Sequence, residues 1–198
     1  LGFKGIWLTP FLKSPGVDNG YDIADYYQVD LVYGTNSGFS NFLNEAHQRG
    51  IKVIMDMVVN HTSTECIWFQ ESVKSRDNPY RDYYIWCDKP NNWESFFGGS
   101  AWEFEPLTKQ YYYHKFDVRM ADLNWSNPAV VREIQKVLRY WLDLGVDGFR
   151  MDVINFLTTN GIGPDNPVID GKQDHKYDIE QSGVKEAIRL IRSTLAEY

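Results

Sequence analysis

The chain has 198 residues, of which 43% are hydrophobic and 24% charged. This length predicts one domain, or one domain with an insertion, and the composition excludes disordered, collagen-like and disulfide-scaffold proteins. No apolar run approaches the roughly 18 residues of a membrane span, and the net charge of −7 comes without a basic cluster. We expect neither a membrane nor nucleic acid as a partner, because duplex binding needs clustered Lys and Arg.

Aromatic residues make up 16% of the chain, with 7 Trp, 13 Tyr and 11 Phe. At this density we expect some of them to line a site for flat, partly apolar ligands, sugars among them. The two cysteines, Cys66 and Cys87, are too few for a disulfide framework or a four-ligand zinc site. We interpret them as unpaired thiols of a reducing compartment, which predicts a cytoplasmic protein.

One pattern occurs three times along the chain. In each copy a Gly precedes a short, mostly apolar run that ends in polar or ring residues: FKGIWLTP after Gly2, IKVIMDMVVNH after Gly50 and VDGFRMDVIN after Gly145. Continuous apolar runs of this length are typical of parallel strands that are buried on both faces. The Gly is the natural C-terminal cap of a helix that ends before the strand.

The second and third copies each follow an amphipathic helix. Apolar residues recur at helical spacing from Phe39 to Ala46 and again from Val130 to Leu142. The second of these helices has a clear start, because Asn127 suits the cap position and Pro128 the first turn. A last helix is predicted from about Val184 to Glu197. The order of helix, Gly, buried strand and polar strand end indicates a parallel α/β fold.

The segment between the second and third strands is longer than a crossover connection needs. Residues 62–118 are rich in Trp, Tyr and Phe and contain turn signals such as Asp77-Asn78-Pro79. This composition predicts a small, loop-rich subdomain above the sheet, with short antiparallel strands around residues 111–116. Residues 158–178 are polar, contain two Pro and three Gly, and are predicted to form a long loop.

Polar side chains follow the predicted strands at their carboxyl ends, where parallel α/β proteins build their chemistry. The second strand ends in Asp56 and His61, and the third in Arg150 and Asp152. Because Arg150 and Asp152 are two residues apart, their side chains point to one face of the strand. A guanidinium beside a carboxylate keeps that carboxylate ionised, as a nucleophile requires. Tyr21, in the loop after the first strand, offers a ring for stacking on a sugar.

Each of these residues also has a structural interpretation. Asp56 and Arg150 equally suit a simple ion pair inside a barrel, and His61 equally suits the cap of a helix or loop. Asp22 is expected to be a loop or turn residue, and residues 122–125 are typical of a turn before a helix. No single carboxylate identifies a reaction.

Four motifs together resemble glycoside hydrolase family 13. The runs DNGYDIADY, DMVVNH, ADLNW and GFRMDVI follow one another in the order and spacing of this α-amylase family of retaining α-glucosidases. The surrounding runs, among them NHTSTECIWFQES and PNNWESFFGGSAWEF, are similar to the branch that holds oligo-1,6-glucosidases, trehalose-6-phosphate hydrolases and sucrose isomerases. The resemblance extends from residue 1 to about residue 157, and residues 158–198 match much less clearly.

The resemblance implies an α/β fold, the eight-stranded TIM barrel, with a B domain inserted after the third strand. The chain then supplies a partial barrel of about strands 2–4. Residues 1–61 carry strands 2 and 3, residues 62–118 the aromatic-rich B domain, and residues 119–198 strand 4 and the following helix. The acid/base Glu and the metal-binding loop of the family would lie outside the chain. We therefore expect residues 1–198 alone to be inactive, and we assign them no metal and no cofactor.

The resemblance also implies the roles of the site residues. Asp152 corresponds to the nucleophile, Arg150 to the arginine beside it, and Asp56 to the structural aspartate that pairs with this arginine. The remaining positions correspond to residues that bind the terminal glucose or wall its site, and they are Asp18, Tyr21, His61, Phe97 and Phe116. Tyr21 is the stacking platform among them.

The predicted function is that of a retaining α-glucosidase acting on short α-glucosides, either isomaltose-type oligosaccharides or trehalose-6-phosphate. Val153, directly after the nucleophile, resembles enzymes that prefer α-1,6 bonds. Sucrose isomerisation or glucosyl transfer is an alternative. Another is a non-enzymatic relative, like the heavy chains of amino-acid transporters that keep the barrel but lose catalytic residues. The presence of Asp152, Arg150 and His61 argues against it. An unrelated flavodoxin-like binding domain would require the four motif matches to be accidental.

Overall fold

The computed structural model describes residues 2–198, a chain of short strands and helices. The strands in this part of the chain are β1 (Gly5–Leu8), β2 (Leu12–Lys13), β3 (Asp25–Val29), β4 (Lys52–Val58), β5 (His61–Ser63), β6 (Trp86–Cys87), β7 (Trp102–Glu105), β8 (Gln110–Tyr113), β9 (Met120–Asp122), β10 (Gly148–Asp152), β11 (Val168–Ile169) and β12 (Lys172–Gln173). The helices are α1 (Asn36–Gln48), α2 (Ile67–Ser72), α3 (Pro128–Leu144) and α4 (Val184–Leu195), with 3₁₀ turns at Arg81–Tyr83 and Ile154–Phe156.

Strands β1, β4 and β10 form a parallel sheet with β4 in the middle. The three predicted strands are therefore confirmed. Only β4 is buried on both faces as expected, with Met55 and Met57 on one face and Asp56 and Val58 on the other, each at most 1% exposed. The expectation is wrong for β1, in which Trp7 is 52% exposed, because residues 2–198 do not cover this side chain. All three strands run in one direction, so their carboxyl ends meet at one edge of the sheet.

The residues at the two ends of α3 explain where this helix begins and ends. The Asn127 side chain accepts a hydrogen bond from the backbone N–H of Ala129, and Pro128 occupies the first turn of α3. Gly145 ends α3 in the left-handed conformation, with φ of 112°. Trp141 of α3 is fully buried and donates its indole N–H to the Tyr26 carbonyl at 2.8 Å. These contacts confirm the predicted helices and attach α3 to the strand that follows β2.

The segment between β4 and β10 forms small antiparallel sheets. Strand β8 lies between β6 and β7, and β5 pairs with β9. The predicted antiparallel strands near residue 111 are confirmed. The segment has a small core of its own, formed by Ile85, Trp93, Ala101, Trp102 and Tyr113. However, Trp68 and Phe69 belong to the main core, so the division at residues 61 and 118 stays a prediction.

Residues 158–178 form a long loop, as predicted, with one short hairpin of β11 and β12. The loop is attached to the preceding segment, because the Trp93 indole N–H donates to the Pro164 carbonyl and the Asn92 amide to the Asn166 carbonyl, each at 2.9 Å. Helix α4 follows at Val184–Leu195. None of the helices in residues 2–198 has the length and apolar character needed to span a bilayer.

Candidate active site

Arg150 lies between two carboxylates at the carboxyl edge of the parallel sheet. Its Nη1 is 3.2 Å from Oδ1 of Asp56 and 2.5 Å from Oδ1 of Asp152. The register explains this contact, since Arg150 is directly opposite Asp56 on β4, while Asp152 is two residues further along β10 on the same face. Arg150 and Asp56 form the predicted ion pair, and Arg150 makes a second salt bridge to Asp152. We call Arg150, Asp56 and Asp152 the strand-end cluster.

The ionisation of the strand-end cluster depends on burial and on the guanidinium. Burial raises the pKa of Asp56, and hydrogen bonding and charge attraction from Arg150 oppose that rise. Burial likewise raises the pKa of Asp152, Arg150 lowers it, and the Asp56 and Asp18 carboxylates raise it. Arg150 itself is 42% exposed. The cation thus favours the ionised form of a carboxylate that its surroundings would otherwise neutralise.

A cavity of about 230 Å³ opens beside Asp152. The residues that line it are Asp18, Tyr21, His61, Phe97, Phe116, Met120, Asp152 and Val153. The structure therefore brings the six predicted binding and nucleophile residues together around one cavity, while Arg150 contacts both Asp152 and Asp56. Their roles stay predictions. Sequence reasoning missed Met120, which no motif distinguishes from a core residue.

The loop between β2 and β3 presents Asp18 and Tyr21 to the cavity. Asp22 is completely buried and accepts the backbone N–H groups of Val17 and Asp18 at 2.8 and 3.0 Å. Asp22 is thus the loop residue that its sequence position suggested. The Tyr21 hydroxyl lies 3.4 Å from Oδ2 of Asp56. One loop therefore connects the cavity to the strand-end cluster.

His61 begins β5 and turns its ring into the cavity. The ring is buried, lies 5.3 Å from the Phe116 ring, and has its Nδ1 3.2 Å from Nδ2 of Asn60. Its Nε2 has no hydrogen-bond partner among residues 2–198. Burial lowers the pKa of His61 to about 4, against smaller opposing effects of the Tyr21 backbone and the Asp22 carboxylate. A neutral imidazole therefore lines the cavity, and its role as a binding residue or as a cap of the Tyr21 loop stays a prediction.

Val153 has an unusual backbone conformation. Its φ and ψ are 40° and 39°, in the left-handed region, immediately before the 3₁₀ turn at Ile154–Phe156. A β-branched residue is strained there, at about 1–3 kcal/mol, and such strain concentrates at functional sites. The turn brings the Phe156 ring within 5.7 Å of the Phe116 ring. The local sequence carries no signal of this strain, because valine ordinarily takes a negative φ.

The predicted turn before a helix is confirmed, because the Ser126 backbone N–H donates to Oδ1 of Asn124 at 3.1 Å just before α3. Asp122 is not part of this turn, since it ends β9 and is completely buried. Its Oδ1 accepts the backbone N–H of Lys115 at 2.8 Å, and its Oδ2 accepts Nδ2 of Asn60 at 3.0 Å. Burial raises the pKa of Asp122 to about 7 despite these donors. The pairing of β9 with β5 places this carboxylate behind His61.

Sequence reasoning also missed a second ionic group, which we call the sealed cluster: Lys115, Asp178 and His175. Lys115 and Asp178 form a salt bridge in which both side chains are fully inaccessible. Nδ1 of His175 lies 3.0 Å from Oδ2 of Asp178. Burial lowers the pKa of Lys115, and Asp178 opposes that change. The partners are about sixty residues apart in the chain, so no local pattern could reveal the pair.

Among residues 2–198, no group of three or more His, Cys, Asp or Glu side chains is arranged to hold a metal ion. Cys66 and Cys87 are free thiols. Burial raises the pKa of each thiol to about 11. Both are therefore protonated at neutral pH and are poor nucleophiles.

A parallel α/β sheet with an arginine and two carboxylates at its carboxyl edge is the arrangement of a barrel-type enzyme site. Residues 1–198 match the family of alpha amylase catalytic domains over their whole length. The chain belongs to this family, and the sheet of β1, β4 and β10 is part of its TIM barrel.

Individual relatives agree with this assignment. The chain is 53% identical over 207 residues to an oligo-1,6-glucosidase of Parageobacillus thermoglucosidasius, covering 100% of this chain and 37% of that protein. Its structure is similar to the Bacillus licheniformis trehalose-6-phosphate hydrolase, with a TM-score of 0.93 and 48% identity over 98% of this chain and 36% of that one. It is also similar to the trehalulose synthase MutB of Pseudomonas mesoacidophila, with a TM-score of 0.93 and 39% identity over 100% and 36%. The chain spans about a third of the length of these relatives.

Proposed function

We propose that this chain provides the nucleophile and half of the sugar pocket of a retaining α-glucosidase acting on short α-glucosides. The observation that carries the proposal is the cavity in which the Asp152 carboxylate, held by Arg150, meets Asp18, Tyr21 and His61. The similarity to an oligo-1,6-glucosidase and to a trehalose-6-phosphate hydrolase supports isomaltose-type oligosaccharides or trehalose-6-phosphate as substrates.

In the proposed reaction, an oxygen of the Asp152 carboxylate attacks the anomeric carbon and the glycosidic bond breaks. A carboxylic acid protonates the leaving oxygen, and water then hydrolyses the glycosyl ester with net retention. The ionised carboxylate also stabilises the oxocarbenium charge that develops on the sugar. The lining of the cavity in residues 2–198 contains Asp but no Glu. We therefore propose that the acid/base Glu lies in a barrel strand outside these residues.

The other residues bind and orient the sugar in this proposal. Asp18 accepts hydrogen bonds from sugar hydroxyls, and the Tyr21 ring stacks on a sugar face. Phe97 and Phe116 form the apolar wall, contributed by the segment that we propose as the B domain. Asp56 supports Arg150 and does not touch the substrate, since it is almost completely buried behind the guanidinium.

Val153 underlies the proposed preference for the leaving group. It lines the cavity directly beside Asp152, and its branched side chain narrows the space for the leaving sugar. We expect the full-length protein to cleave isomaltose or trehalose-6-phosphate with a higher kcat/KM than maltose. Steady-state kinetics on the three sugars test this expectation. A clear preference for maltose would contradict it, and no turnover of any α-glucoside would favour the non-enzymatic alternative.

Glucosyl transfer is a second candidate, supported by the similarity to a trehalulose synthase. The glycosyl ester on Asp152 is common to both reactions, and only the acceptor differs, a sugar hydroxyl in place of water. Chromatography of the products from sucrose separates the two outcomes. Equal amounts of glucose and fructose indicate hydrolysis, whereas an isomeric disaccharide indicates transfer.

Residues 1–198 by themselves are proposed to be inactive. Proton delivery to the leaving oxygen typically accelerates such reactions by about 10²–10⁴-fold. The Glu that the family resemblance implies for this step is absent from the cavity lining in residues 2–198. The test is hydrolysis of p-nitrophenyl α-glucoside, whose leaving group needs little protonation. Turnover by the purified chain that disappears in Asp152→Asn would contradict this proposal.

A further inference from the structure

Three buried side chains form a line of hydrogen bonds that ends at the cavity. Nδ2 of Asn60 lies 3.0 Å from Oδ2 of Asp122 and 3.2 Å from Nδ1 of His61. All three residues are at most 1% exposed. At the far end, Nε2 of His61 is buried without a partner among residues 2–198, in a ring that lines the cavity. This arrangement leaves one buried polar atom without a partner in a residue that lines the cavity.

The direction of these hydrogen bonds follows from the carboxylate. The Asp122 oxygens accept the Lys115 backbone N–H and the Asn60 side chain, and above its pKa of about 7 the Asp122 carboxylate is ionised and can only accept. Asn60 must therefore turn its NH₂ group, not its carbonyl, towards Asp122. The second hydrogen of the same NH₂ group then meets Nδ1 of His61, which must accept it. A neutral imidazole that accepts at Nδ1 carries its proton on Nε2.

We propose that Asn60, oriented by Asp122, is a positioning residue that fixes His61 in the Nε2–H tautomer, so that His61 donates a hydrogen bond to a sugar hydroxyl oxygen. This inference rests on the proposed α-glucosidase function only for the identity of the acceptor. The tautomer itself is a property of the ligand-free protein.

The tautomer matters because of the other polar groups around the cavity. Asp18 and Asp152 are carboxylates, which take the hydrogen of any hydroxyl that binds to them. A hydroxyl has a single hydrogen, so an oxygen that lies between a carboxylate and His61 must accept from His61. The Nε2–H tautomer satisfies this requirement, whereas the Nδ1–H tautomer would place two lone pairs against each other.

The depressed pKa of His61 supports the same conclusion. Burial lowers this pKa to about 4, so the ring is neutral at pH 7 and one nitrogen carries its single proton. The identity of that nitrogen is then decided by the group at Nδ1, which is Asn60.

The direct test is long-range ¹H–¹⁵N NMR of the full-length protein without ligand, at a pH well above the Asp122 pKa of about 7. This measurement distinguishes protonated from unprotonated ring nitrogens. We expect the protonated nitrogen of His61 to be Nε2 in the wild-type protein. In Asn60→Asp a carboxyl oxygen replaces the amide donor, and any shared proton lies between residues 60 and 122. Nδ1 of His61 should then become protonated. Protonation of Nδ1 in the wild type, or an unchanged Nε2–H signal in folded Asn60→Asp, overturns the proposal.

Activity provides an independent readout. We expect Asn60→Asp to lower kcat/KM for an α-glucoside by about 10- to 100-fold, the usual effect of a mismatched buried hydrogen bond. The control is Asn44→Asp, the same change at an exposed position of α1, which should leave kcat/KM unchanged. If Asn60 acts through His61, the Asn60→Asp change should lose most of its effect in a His61→Gln background. Additive effects overturn the proposal. The predicted tautomer in a protein without α-glucoside turnover supports positioning by Asn60 and contradicts only the proposed function.

Discussion

The strand-end cluster and the sealed cluster contain the same kinds of groups in opposite surroundings. Each pairs one cation with carboxylate oxygens. In the strand-end cluster Arg150 is 42% exposed and Asp152 lines an open cavity, whereas Lys115 and Asp178 of the sealed cluster have no accessible surface. The difference in access separates a group that can meet a ligand from one that only neighbouring side chains can contact.

The sealed cluster connects the loop after β10 to the aromatic wall of the cavity. The Lys115 ammonium lies 4.7 Å from the centre of the Phe96 ring, and the His175 ring lies 4.8 Å from it. The Phe96 ring in turn stacks with Phe116 at 6.0 Å. We interpret the sealed cluster as support for the wall, and the strand-end cluster as the reactive group. Four experiments test this division.

The largest expected effect is on catalysis at the strand-end cluster. Asp152→Asn should lower kcat for p-nitrophenyl α-glucoside by on the order of 10⁴-fold or more, because an amide cannot form the glycosyl ester. The unfolding midpoint should stay near that of the wild type, since the amide oxygen still accepts from Arg150. Asp77→Asn, at an exposed turn, is the matched control. Retention of activity within tenfold of the wild type would show that Asp152 is not the nucleophile.

The next effect is on stability at the sealed cluster. Asp178→Ala leaves the Lys115 ammonium buried without its partner, which should lower the free energy of unfolding by about 3–5 kcal/mol. The double variant Lys115→Met with Asp178→Leu should recover much of this loss, because no buried charge remains. Urea denaturation of the full-length protein measures both. Glu186→Ala, which breaks the exposed pair with Arg189, should change stability by less than about 0.5 kcal/mol. Equal losses of unfolding free energy in Asp178→Ala and Glu186→Ala would contradict the view that the sealed cluster differs from an exposed ion pair.

A smaller effect is expected on the pH dependence of catalysis. Burial raises the pKa of Asp152 and Arg150 lowers it, so Arg150→Gln should raise it further. Because the nucleophile must be ionised, activity should then be lost at a higher pH as the solution is acidified. The acid limb of the kcat/KM profile should move up by about 1–3 pH units. Arg189→Gln, at an exposed position, controls for the lost charge. An unmoved acid limb in Arg150→Gln would mean that another group sets it.

The smallest effect concerns the partly accessible edge of the sealed cluster. His175→Leu removes one hydrogen-bond partner of Asp178 and should lower the free energy of unfolding by about 1 kcal/mol, with kcat unchanged. His175→Gln keeps a polar group at this position and should lose less. Thermal and urea unfolding of the two variants provide the comparison. A loss of unfolding free energy in His175→Leu as large as that in Asp178→Ala would contradict this prediction. It would mean that the His175 imidazole stabilises the sealed cluster as much as the Asp178 carboxylate does.

The sequence by itself determined those features that depend on neighbours along the chain. Asn127 and Pro128 start α3, Gly145 ends it, and the apolar run after Gly50 forms β4. The alternation in Arg-Met-Asp places Arg150 and Asp152 on one face, which no later packing could change. The motifs were also sufficient for the family, and through the family for the residues that line the cavity.

Only the tertiary structure decided the features that join distant parts of the chain. The pairing of β5 with β9 turned Asp122 from an apparent turn residue into a buried carboxylate behind Asn60. Packing of the loop after β10 against the aromatic segment made Lys115 and Asp178 a sealed pair. The left-handed conformation of Val153 is likewise visible only in the folded chain. Burial and pairing energies depend on atoms that meet in space, and no spacing along the chain records which atoms those are.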